Sequence, residues 1–330
     1  MKAVIPVAGV GTKLRPLTYT QPKPLIPIAG KPILGHIIER LAKAGVNEFV
    51  FIIGYLGEKI HDFVRDTYPG ITTYFVQQAD RKGIGHAIWT ARDIVKNEDM
   101  LIVLGDTVIE ADIEQIIASK NSVLGIRKVD DPRDFGVVEF DDKGRIERVI
   151  EKPSIPRSNM ALVGLYKIVG SQKLFDVLEH NIKTGYTTHN EIQLTDAIGK
   201  MIKDGAIFET IKVENWYDCG KKDSLLEANA RLLRKTNSDG KKHPNLSSSI
   251  VIPPVSIAST AQIGNSIIGP NVTIGENAVL DYVIVKDSII GNFSKLKNVV
   301  LEKSVIGSDA TINGSTQSLN IGDNTEIDFS

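Results

Sequence analysis

The sequence predicts an α/β domain followed by a short parallel β-solenoid, and three observations lead to this fold class. Short apolar runs rich in β-branched residues alternate with amphipathic stretches up to about residue 235. Residues 236–250 are polar and contain Ser, Gly and Pro, as linkers do. The dipeptide Ile-Gly then recurs at regular intervals towards the end of the chain. We therefore expect a first domain over 1–235, a linker over 236–250 and a second domain over 251–330.

The composition is that of an ordinary globular protein. The 330 residues are 42% hydrophobic, and 39 basic against 40 acidic side chains give a net charge of −1. A nucleic-acid-binding domain normally carries a basic excess, so nucleic acid is not an expected partner. One cysteine, Cys219, allows no intrachain disulfide. No apolar run is long enough for a membrane span and no signal-peptide pattern is present, so we expect a cytoplasmic protein without a membrane partner.

The first part of the chain alternates strands with helices. The apolar runs predict strands over 2–7, 48–53, 72–76 and 100–104, and i, i+3, i+4 spacing predicts helices over 33–44, 56–66 and 84–95. This order of elements predicts a parallel sheet with helices on its faces.

The pattern changes to strands alone between residues 122 and 168. Predicted strands cover 122–128, 136–140, 145–150 and 161–168, and they should add antiparallel strands that form one wall of a pocket. Predicted helices then cover 172–179, 191–203 and 223–234. Asn190 and Gln193 are placed to form a capping box at the second of these helices.

The final repeat has a constant period. Gly275, Gly291, Gly307 and Gly322 are spaced 16, 16 and 15 residues apart, with small or apolar residues recurring between them. We expect Ile and Val to point inward and glycine to occupy corners that need a positive φ. The pattern resembles the hexapeptide repeat of a left-handed parallel β-helix. A β-sandwich with glycine turns is the alternative, but a sandwich has no reason to keep so regular a period.

The solenoid is expected to be structural. Acyltransferases built on hexapeptide repeats generally use a coil histidine as a base, and none of the six histidines lies in 251–330. We therefore expect this segment to make contacts in a homo-oligomer or to pack on the first domain, and acyl transfer is not expected.

A glycine-rich loop follows the first strand, and three phosphate-binding interpretations compete for it. A dinucleotide-binding fingerprint lacks its third glycine because Leu14 is present there, and the second strand has no acidic residue at its end. A Walker A loop is absent from the sequence. The third interpretation joins the loop, residues 9–13, to a proline-rich segment with a lysine at Lys23 (22–32).

The extended motif A-G-x-G-T-[RK]-x-x-P-x-T…P-K-P-L-x-P-x-x-x-K-P resembles that of the sugar-1-phosphate nucleotidylyltransferases. Further segments agree with this family in order, at 83–88, 104–107, 134–140, 151–153, 159–164, 191–196 and 217–220. The resemblance covers residues 1–235 and implies a Rossmann-like, GT-A-like mixed sheet. A β-helix tail is itself common in this superfamily.

The implied chemistry joins two anionic phosphates and releases pyrophosphate, so catalysis consists mainly of charge neutralisation and in-line positioning. By resemblance, Asp106 and Asp218 are Mg²⁺ ligands, and Lys23 bridges the α-phosphate and the sugar phosphate. Spacing alone also allows Asp106 to be a helix N-cap, Asp218 to be an ordinary turn residue and Lys23 to be a solvated lysine.

The resemblance also divides the remaining candidate residues between the two substrates. The nucleoside triphosphate is assigned to Val7, Ala8, Gly9, Gly11, Thr12, Gln78 and Gly83. The sugar-1-phosphate is assigned to Gly136, Glu151, Lys152, Leu162, Gly164 and, as a weaker candidate, Glu191.

One residue departs from the family pattern. The family usually has arginine where this chain has Lys13, which keeps the charge on the triphosphate but loses the bidentate fork. Arg15 lies near enough in sequence to compensate, and we count Lys13 and Arg15 among the catalytic candidates.

Two functions from different classes follow. The first is a Mg²⁺-dependent enzyme that joins a pyrimidine nucleoside triphosphate, dTTP or UTP, to a hexose-1-phosphate, with glucose-1-phosphate expected. The second is a nucleotide-sugar sensor or regulatory subunit that keeps the pocket without catalysis; Lys13 is the feature that supports it.

Overall fold

A computed structural model describes residues 1–236 and 246–315. Residues 237–245, which make up most of the predicted linker, and 316–330, which include Gly322, lie outside the described residues. The chain divides into two compact units, Met1–Ala228 and Asn229–Ser330. This division falls inside a helix, and the domain bounds inferred from the sequence stay a prediction.

The first unit contains strands and helices in alternation. Its strands are β1 (Lys2–Pro6), β2 (Pro27–Ile28), β3 (Lys31–Pro32), β4 (Glu48–Ile53), β5 (Thr72–Gln77), β6 (Met100–Val103), β7 (Thr107–Glu110), β8 (Ser122–Lys128), β9 (Gly136–Phe140), β10 (Ile146–Glu151), β11 (Met160–Ile168), β12 (Phe208–Lys212) and β13 (Asn215–Asp218). Its helices are α1 (Ile33–Lys43), α2 (Gly57–Thr67), α3 (Ile84–Thr90), α4 (Arg92–Val95), α5 (Ile113–Ala118), α6 (Gln172–Thr184) and α7 (Leu194–Lys203); α8 (Lys222–Thr236) continues into the second unit. Short 3-10 turns cover Thr12–Leu14, Leu17–Tyr19 and Lys23–Leu25.

The main sheet is mixed. Its order is β10-β9-β11-β6-β1-β4-β5, with β8 joined to β11 and β12 joined to β8. Strands β6, β1, β4 and β5 run parallel, because the connections β1–β4, β4–β5 and β5–β6 each contain a helical crossover. Strand β11 pairs antiparallel with β6, β8 and β9. The central strands β1, β4 and β6 are almost wholly buried, as their continuous apolar runs require. The predicted antiparallel addition after residue 122 is confirmed.

Three predicted helices differ clearly from the structure. The helix expected over 172–179 extends to Thr184. The helix expected over 84–95 is broken into α3 and α4 at Ala91. The helix expected over 191–203 begins only at Leu194, and the predicted capping box is wrong. Asn190 has a positive φ of 62°, which places it in the loop before the helix, and Gln193 is the N-cap without a side-chain capping bond.

The elements β7, α5, β12 and β13 are not predicted from the sequence. Strands β7 and β13 form a separate antiparallel pair in which Asp218 lies opposite Thr107. This pair matters for the site, because it joins two chain segments that are more than 100 residues apart and that carry the two predicted metal ligands.

The second unit is a stack of parallel coils. Its strands are β14 (Leu246–Ser247), β15 (Ile250–Val251), β16 (Val255–Ile257), β17 (Gln262–Gly264), β18 (Ile267–Ile268), β19 (Val272–Ile274), β20 (Val279–Lys286), β21 (Ile289–Ile290), β22 (Lys295–Glu302), β23 (Val305–Ile306) and β24 (Thr311–Asn313). Each of β14 to β22 pairs in parallel with a strand 16 or 17 residues further along the chain, as the repeat predicts. Inward-facing Ile, Val, Leu and Ala side chains form its core.

The expectation that glycine occupies the positive-φ corners of the coils is wrong for most corners. Asparagine, aspartate and other side chains take positive φ there, for example Asn265, Asn277 and Asp309. Gly275 and Gly291 are needed for a different reason, which is the close approach of the next coil. A Cβ on Gly275 would lie 2.3 Å from the side chain of Asn292, and one on Gly291 would lie 2.5 Å from a backbone nitrogen.

Across the described part of the chain, no helix combines the length and the apolarity that crossing a bilayer demands.

Candidate active site

The candidate site begins where three parallel strands end at the same edge of the sheet. The chain leaves β1 through Val7 and Ala8, leaves β4 through Gly54 and leaves β6 through Gly105. The three exits are in contact: a Cβ on Gly54 would lie 2.9 Å from that of Ala8, and one on Gly105 would lie 2.3 Å from Val7. Ligands of open α/β sheets bind at this carboxyl edge.

Two carboxylates are carried by backbone segments that lie side by side at this edge. Asp106 follows β6 and stands in the turn before β7, so it is not a helix N-cap. Asp218 ends β13. The two segments are joined by the β7–β13 pairing and by a hydrogen bond from the Cys219 backbone N–H to the Asp106 carbonyl, 3.1 Å long.

Lys23 reaches the same point from the proline-rich segment. It is the first residue of the 3-10 turn Lys23–Leu25, and the adjacent Pro22 and Pro24 restrict its backbone conformation. Its Nζ lies 2.6 Å from Oδ2 of Asp106, and only 11% of its side chain is exposed, against 41% for Asp106. Lys23 therefore has a restricted backbone, and its ammonium group is paired with Asp106.

The pKa values of the two carboxyl groups are shifted in opposite directions. Burial disfavours ionisation of Asp106, but the Lys23 ammonium and hydrogen bonds from Lys23 and Thr107 outweigh it, so its pKa is lowered. Burial, followed by the negative charge of Asp106, raises the pKa of Asp218, and the charges of Lys23 and Lys13 only partly oppose this. Both carboxylates therefore lie in one electrostatic field that would favour a further cation.

The donor set fits a Mg²⁺ ion that is shared with substrate. The described residues contain no group of three or more His, Cys, Asp or Glu side chains that could hold a metal by themselves. Mg²⁺ is commonly held by one or two carboxylates while phosphates and waters complete its octahedron. Asp106 and Asp218 supply hard oxygens of this kind. The neighbouring Cys219 is buried, and its thiol donates to the Tyr217 carbonyl.

The predicted nucleotide residues form a second group at the end of β5. The Gln78 side-chain amide donates to the Gly83 carbonyl, at 3.2 Å. Gly83 has a φ of 101°, and a Cβ there would lie 2.7 Å from the Ile192 carbonyl and 2.9 Å from Glu191. Glu191, which was predicted on the sugar side, thus lies beside the nucleotide loop, and Gln193 donates to its carboxylate.

In the loop after β1, some backbone groups already make hydrogen bonds within the protein, while others have free space around them. The Val7 N–H donates to the Ile52 carbonyl, so only other groups of Val7 can face a nucleotide. A Cβ on Gly9 would have no atom within 4 Å, whereas one on Gly11 would lie 3.1 Å from Lys23. Thr12 and Gly11 fold into the 3-10 turn that carries Lys13.

The predicted sugar residues form a third group. A Cβ on Gly136 would lie 2.9 Å from Thr195, 3.0 Å from Leu162 and 3.2 Å from the carboxylate of Glu151. The Thr195 hydroxyl donates to Oε2 of Glu151 at 2.9 Å. Gly136, Glu151 and Leu162 are therefore brought together on the antiparallel half of the sheet.

Lys152 and Gly164 connect this group to its surroundings. Lys152 Nζ is 3.7 Å from Oε1 of Glu151, and its own backbone has a φ of 42°. Gly164 has a φ of 80° at a break in the β11–β8 register, and its carbonyl accepts from the Leu104 N–H at 2.9 Å. Since Leu104 precedes Asp106 by two residues, this bond ties the sugar-side strand to the carboxylate turn.

The two remaining basic candidates point to different neighbours. Lys13 is close enough to Asp218 to oppose the rise in its pKa. The Arg15 guanidinium lies over the ring of Tyr19, 5.0 Å from its centroid. The structure thus associates Lys13 with the carboxylates and Arg15 with an aromatic neighbour.

Sequence reasoning missed the contacts that four further residues make in the site. Thr195 fixes Glu151, and the Thr107 hydroxyl donates to Oδ1 of Asp106 at 3.1 Å. Phe135 and Trp216 form an edge-to-face pair with centroids 4.8 Å apart, between the neighbours of Gly136 and Asp218. Thr195 lay inside a quoted motif segment, but nothing in one sequence shows which partner a hydroxyl will meet.

Comparison with known proteins shows the family of the chain. The family model described as Nucleotidyl transferase matches residues 2–235. The chain belongs to the nucleotidyl transferase family. A second family model, described as GlmU-like, C-terminal hexapeptide, matches residues 234–328, and the predicted left-handed β-helix class is confirmed by it.

Relatives of this nucleotidyl transferase share either its first part or its whole length. It is 41% identical over 240 residues to the bifunctional protein GlmU of Methanocaldococcus jannaschii, covering 72% of this chain but only 56% of that relative. It is 32% identical over 362 residues to the low-salt glycan biosynthesis nucleotidyltransferase Agl11 of Haloferax volcanii, covering 99% of both chains. A UDP-glucose pyrophosphorylase solved with UDP-glucose matches with a TM-score of 0.62 at 27% identity, covering 71% of this chain and 98% of that one.

Proposed function

We propose that this chain is a Mg²⁺-dependent sugar-1-phosphate nucleotidylyltransferase that uses a pyrimidine nucleoside triphosphate, dTTP or UTP, and a hexose-1-phosphate, with glucose-1-phosphate as the expected sugar. The single observation that carries the proposal is the convergence of Lys23, Asp106 and Asp218 at the carboxyl edge of the sheet. A nucleic acid and a membrane are not proposed partners, and a homo-oligomer stays a prediction.

The arrangement suits an in-line displacement at the α-phosphorus. An oxygen of the sugar phosphate forms the new P–O bond, and the bond from the α-phosphorus to the bridging oxygen breaks, so the electron pair leaves with pyrophosphate. The attacking phosphate is already ionised and needs no base. Lys23 would hold the α-phosphate and the sugar phosphate together, while Lys152 would hold the sugar phosphate beside Glu151. Mg²⁺ bound to Asp106 and Asp218 would neutralise charge on the phosphates.

The two ends of the substrates are held by separate groups. Glu151 has one oxygen fixed by Thr195, which leaves the other to accept a sugar hydroxyl. Gly136 lets Thr195, Leu162 and Glu151 pack closely against the backbone, because a Cβ there would meet all three side chains. The Gln78 and Gly83 loop would receive the base.

The test is a panel in which Mg²⁺, one triphosphate and one sugar phosphate are supplied and pyrophosphate release is measured. The panel holds dTTP, UTP, ATP and GTP against glucose-1-phosphate and N-acetylglucosamine-1-phosphate, the latter because of the GlmU relatives. Release with a pyrimidine triphosphate supports the proposal. Release with no pair would overturn it, and tight binding of a nucleotide-sugar without turnover would identify the sensor alternative.

The variant Asp106→Asn tests the proposed metal site by its effect on turnover. It should lower turnover by at least about a hundredfold, since metal polarisation is worth several kcal/mol. Asp142→Asn, the same change of charge in the exposed turn between β9 and β10, is the matched control and should leave turnover unchanged. Equal activity of the two variants would remove Asp106 from the metal site.

A further inference from the structure

Lys23 and Asp106 are paired with each other, although each has a different partner in the proposed reaction. Lys23 Nζ lies 2.6 Å from Oδ2 of Asp106, and the Thr107 hydroxyl lies 3.1 Å from Oδ1. Both oxygens of the carboxylate are therefore engaged by protein groups. The oxygen nearest Lys23 is one that a metal ion would also need.

The two cations compete for this oxygen. A Mg²⁺–carboxylate bond is 2.0–2.1 Å long, so an ammonium at hydrogen-bond distance from the same oxygen faces close repulsion between like charges. Metal binding at Asp106 is therefore weakened as long as Lys23 stays at Oδ2, and it favours a Lys23 that has moved away. With 11% of its side chain exposed, Lys23 loses its counter-charge without gaining full hydration, and a buried unpaired ammonium is costly.

An incoming phosphate removes this cost. The α-phosphate offers Lys23 a new anionic partner, and it offers the metal additional oxygen ligands. The proline-flanked turn fixes the backbone of Lys23, so the exchange of partners needs only a rotation of its flexible side chain.

We propose that Lys23 acts as a guard of the metal site, occupying Asp106 until a triphosphate draws it away, so that metal and triphosphate bind cooperatively. The inference rests on the proposed function, which supplies both ligands. By linkage, the triphosphate must tighten metal binding by the same factor by which the metal tightens triphosphate binding. The free protein then binds metal weakly, and the complete site assembles only with its substrate.

The test measures metal binding without nucleotide, using Mn²⁺ alone as the probe, by calorimetry and by electron paramagnetic resonance of the free ion. Lys23→Met should bind Mn²⁺ about tenfold more tightly than the unaltered protein, within the 5–150-fold range usual for coupled sites. Lys23→Gln serves as a second variant, and circular dichroism establishes that each variant is folded. Adding Asp106→Asn to Lys23→Met should remove the gain.

Lys13→Met is the matched control. Lys13 also acts on Asp218 through its charge, but no hydrogen bond or ion pair links it to Asp106 among the described contacts. Its removal reports the general loss of one positive charge, for which we expect a change of threefold or less.

The outcomes distinguish the guard from the proposed function. A gain in the Lys23 variants that exceeds that of Lys13→Met and depends on Asp106 supports the guard. Equal Mn²⁺ affinity in all four proteins with intact Asp106 overturns the guard and leaves the enzyme proposal standing. Failure of every protein to bind Mn²⁺ while the substrate panel shows turnover also overturns it, and failure of both overturns the proposed function as well.

Discussion

Thr195→Val offers a sharp test of how the sugar side of the site is organised. The Thr195 hydroxyl donates to Oε2 of Glu151 at 2.9 Å, and the side chain of Glu151 is 12% exposed. Valine keeps the shape of threonine and removes the donor. Lys152, 3.7 Å from the other oxygen, is then the neighbouring cation and draws the carboxylate towards itself.

The size of the effect follows from the charge of the acceptor. A hydrogen bond to a charged group contributes about 1.5–3 kcal/mol. Because Lys152 still compensates part of the charge, we expect the lower end, a loss of about 1.5 kcal/mol in the free energy of unfolding. The displaced Glu151 carboxylate should also reduce kcat/KM for the sugar phosphate about tenfold, since about 1.4 kcal/mol corresponds to a factor of ten.

The assay measures KM for each substrate separately, together with unfolding in denaturant. KM for the sugar phosphate should rise while KM for the triphosphate stays unchanged, because the Gln78 and Gly83 loop is not altered. Thr195→Ser is the matched control, since it retains the hydroxyl and loses only a methyl group. If serine and valine had equal effects on the KM of the sugar phosphate, the hydrogen bond would not be the cause and the reasoning would be refuted.

Three further predictions concern stability. Gly83→Ala should lower the free energy of unfolding by about 2–4 kcal/mol, because φ is 101° and the new Cβ would lie 2.7 Å from a backbone oxygen; Gly144→Ala, with a φ of 75° and open space around it, should cost only about 1–2 kcal/mol. Burial lowers the pKa of His36, so the unfolded chain binds the proton more readily and stability should fall as the pH drops below about 6.5; His36→Asn should flatten this slope. Asn229→Leu should cost about 2–4 kcal/mol, because Asn229 is fully buried and accepts from the Thr273 hydroxyl at 2.6 Å.

Each of these predictions has a contrary outcome. Equal unfolding energies for the two alanine variants would show that Gly83 is constrained only by its φ. An unchanged pH slope between pH 7 and 5 in the His36 variant would assign the slope to other groups. A second unit that unfolds at the same denaturant concentration with leucine at position 229 would show that the buried bonds of Asn229 contribute nothing.

The sheet was predictable where the signal is local. The run over 48–53 is apolar and β-branched, and the structure has β4 at Glu48–Ile53. Strands β7 and β13 were not predicted, because each is four residues long and includes polar residues. Their pairing is between distant segments, and a short strand of this kind is stabilised by its partner rather than by its own pattern.

In the coil repeat, the spacing of the glycines was predictable from the sequence, but the structural reason for each glycine was not. Regular glycines indicated coils of 16 residues, and the pairing of β21 with β23 has that spacing. A single sequence does not distinguish a glycine needed for positive φ from one needed for close approach. Gly275 is of the second kind, and Asn277, with a φ of 54°, takes the corner that was assigned to glycine.

For the candidate site, the sequence predicted individual residues but not the contacts between them. Family motifs named Lys23, Asp106, Asp218 and Glu151, but they did not indicate which of these touch one another before substrate arrives. The Lys23–Asp106 pair and the Thr195–Glu151 bond join residues 83 and 44 positions apart. Such contacts depend on where whole strands and helices lie, which local sequence does not encode.

The near-neutral charge of the chain is consistent with a site for polyanions, because such a site needs only a few basic side chains in the right positions. Lys13 bears on Asp218, while Arg15 is engaged with the ring of Tyr19, a contact worth about 0.5–1 kcal/mol at an exposed position. A point charge at Lys13 is enough to neutralise a triphosphate oxygen but does not fix its orientation. In the proposed reaction, the orientation of the phosphates would come from Lys23 and from the Mg²⁺ that Asp106 and Asp218 would hold, so the exchange of partners by Lys23 would affect the whole reaction.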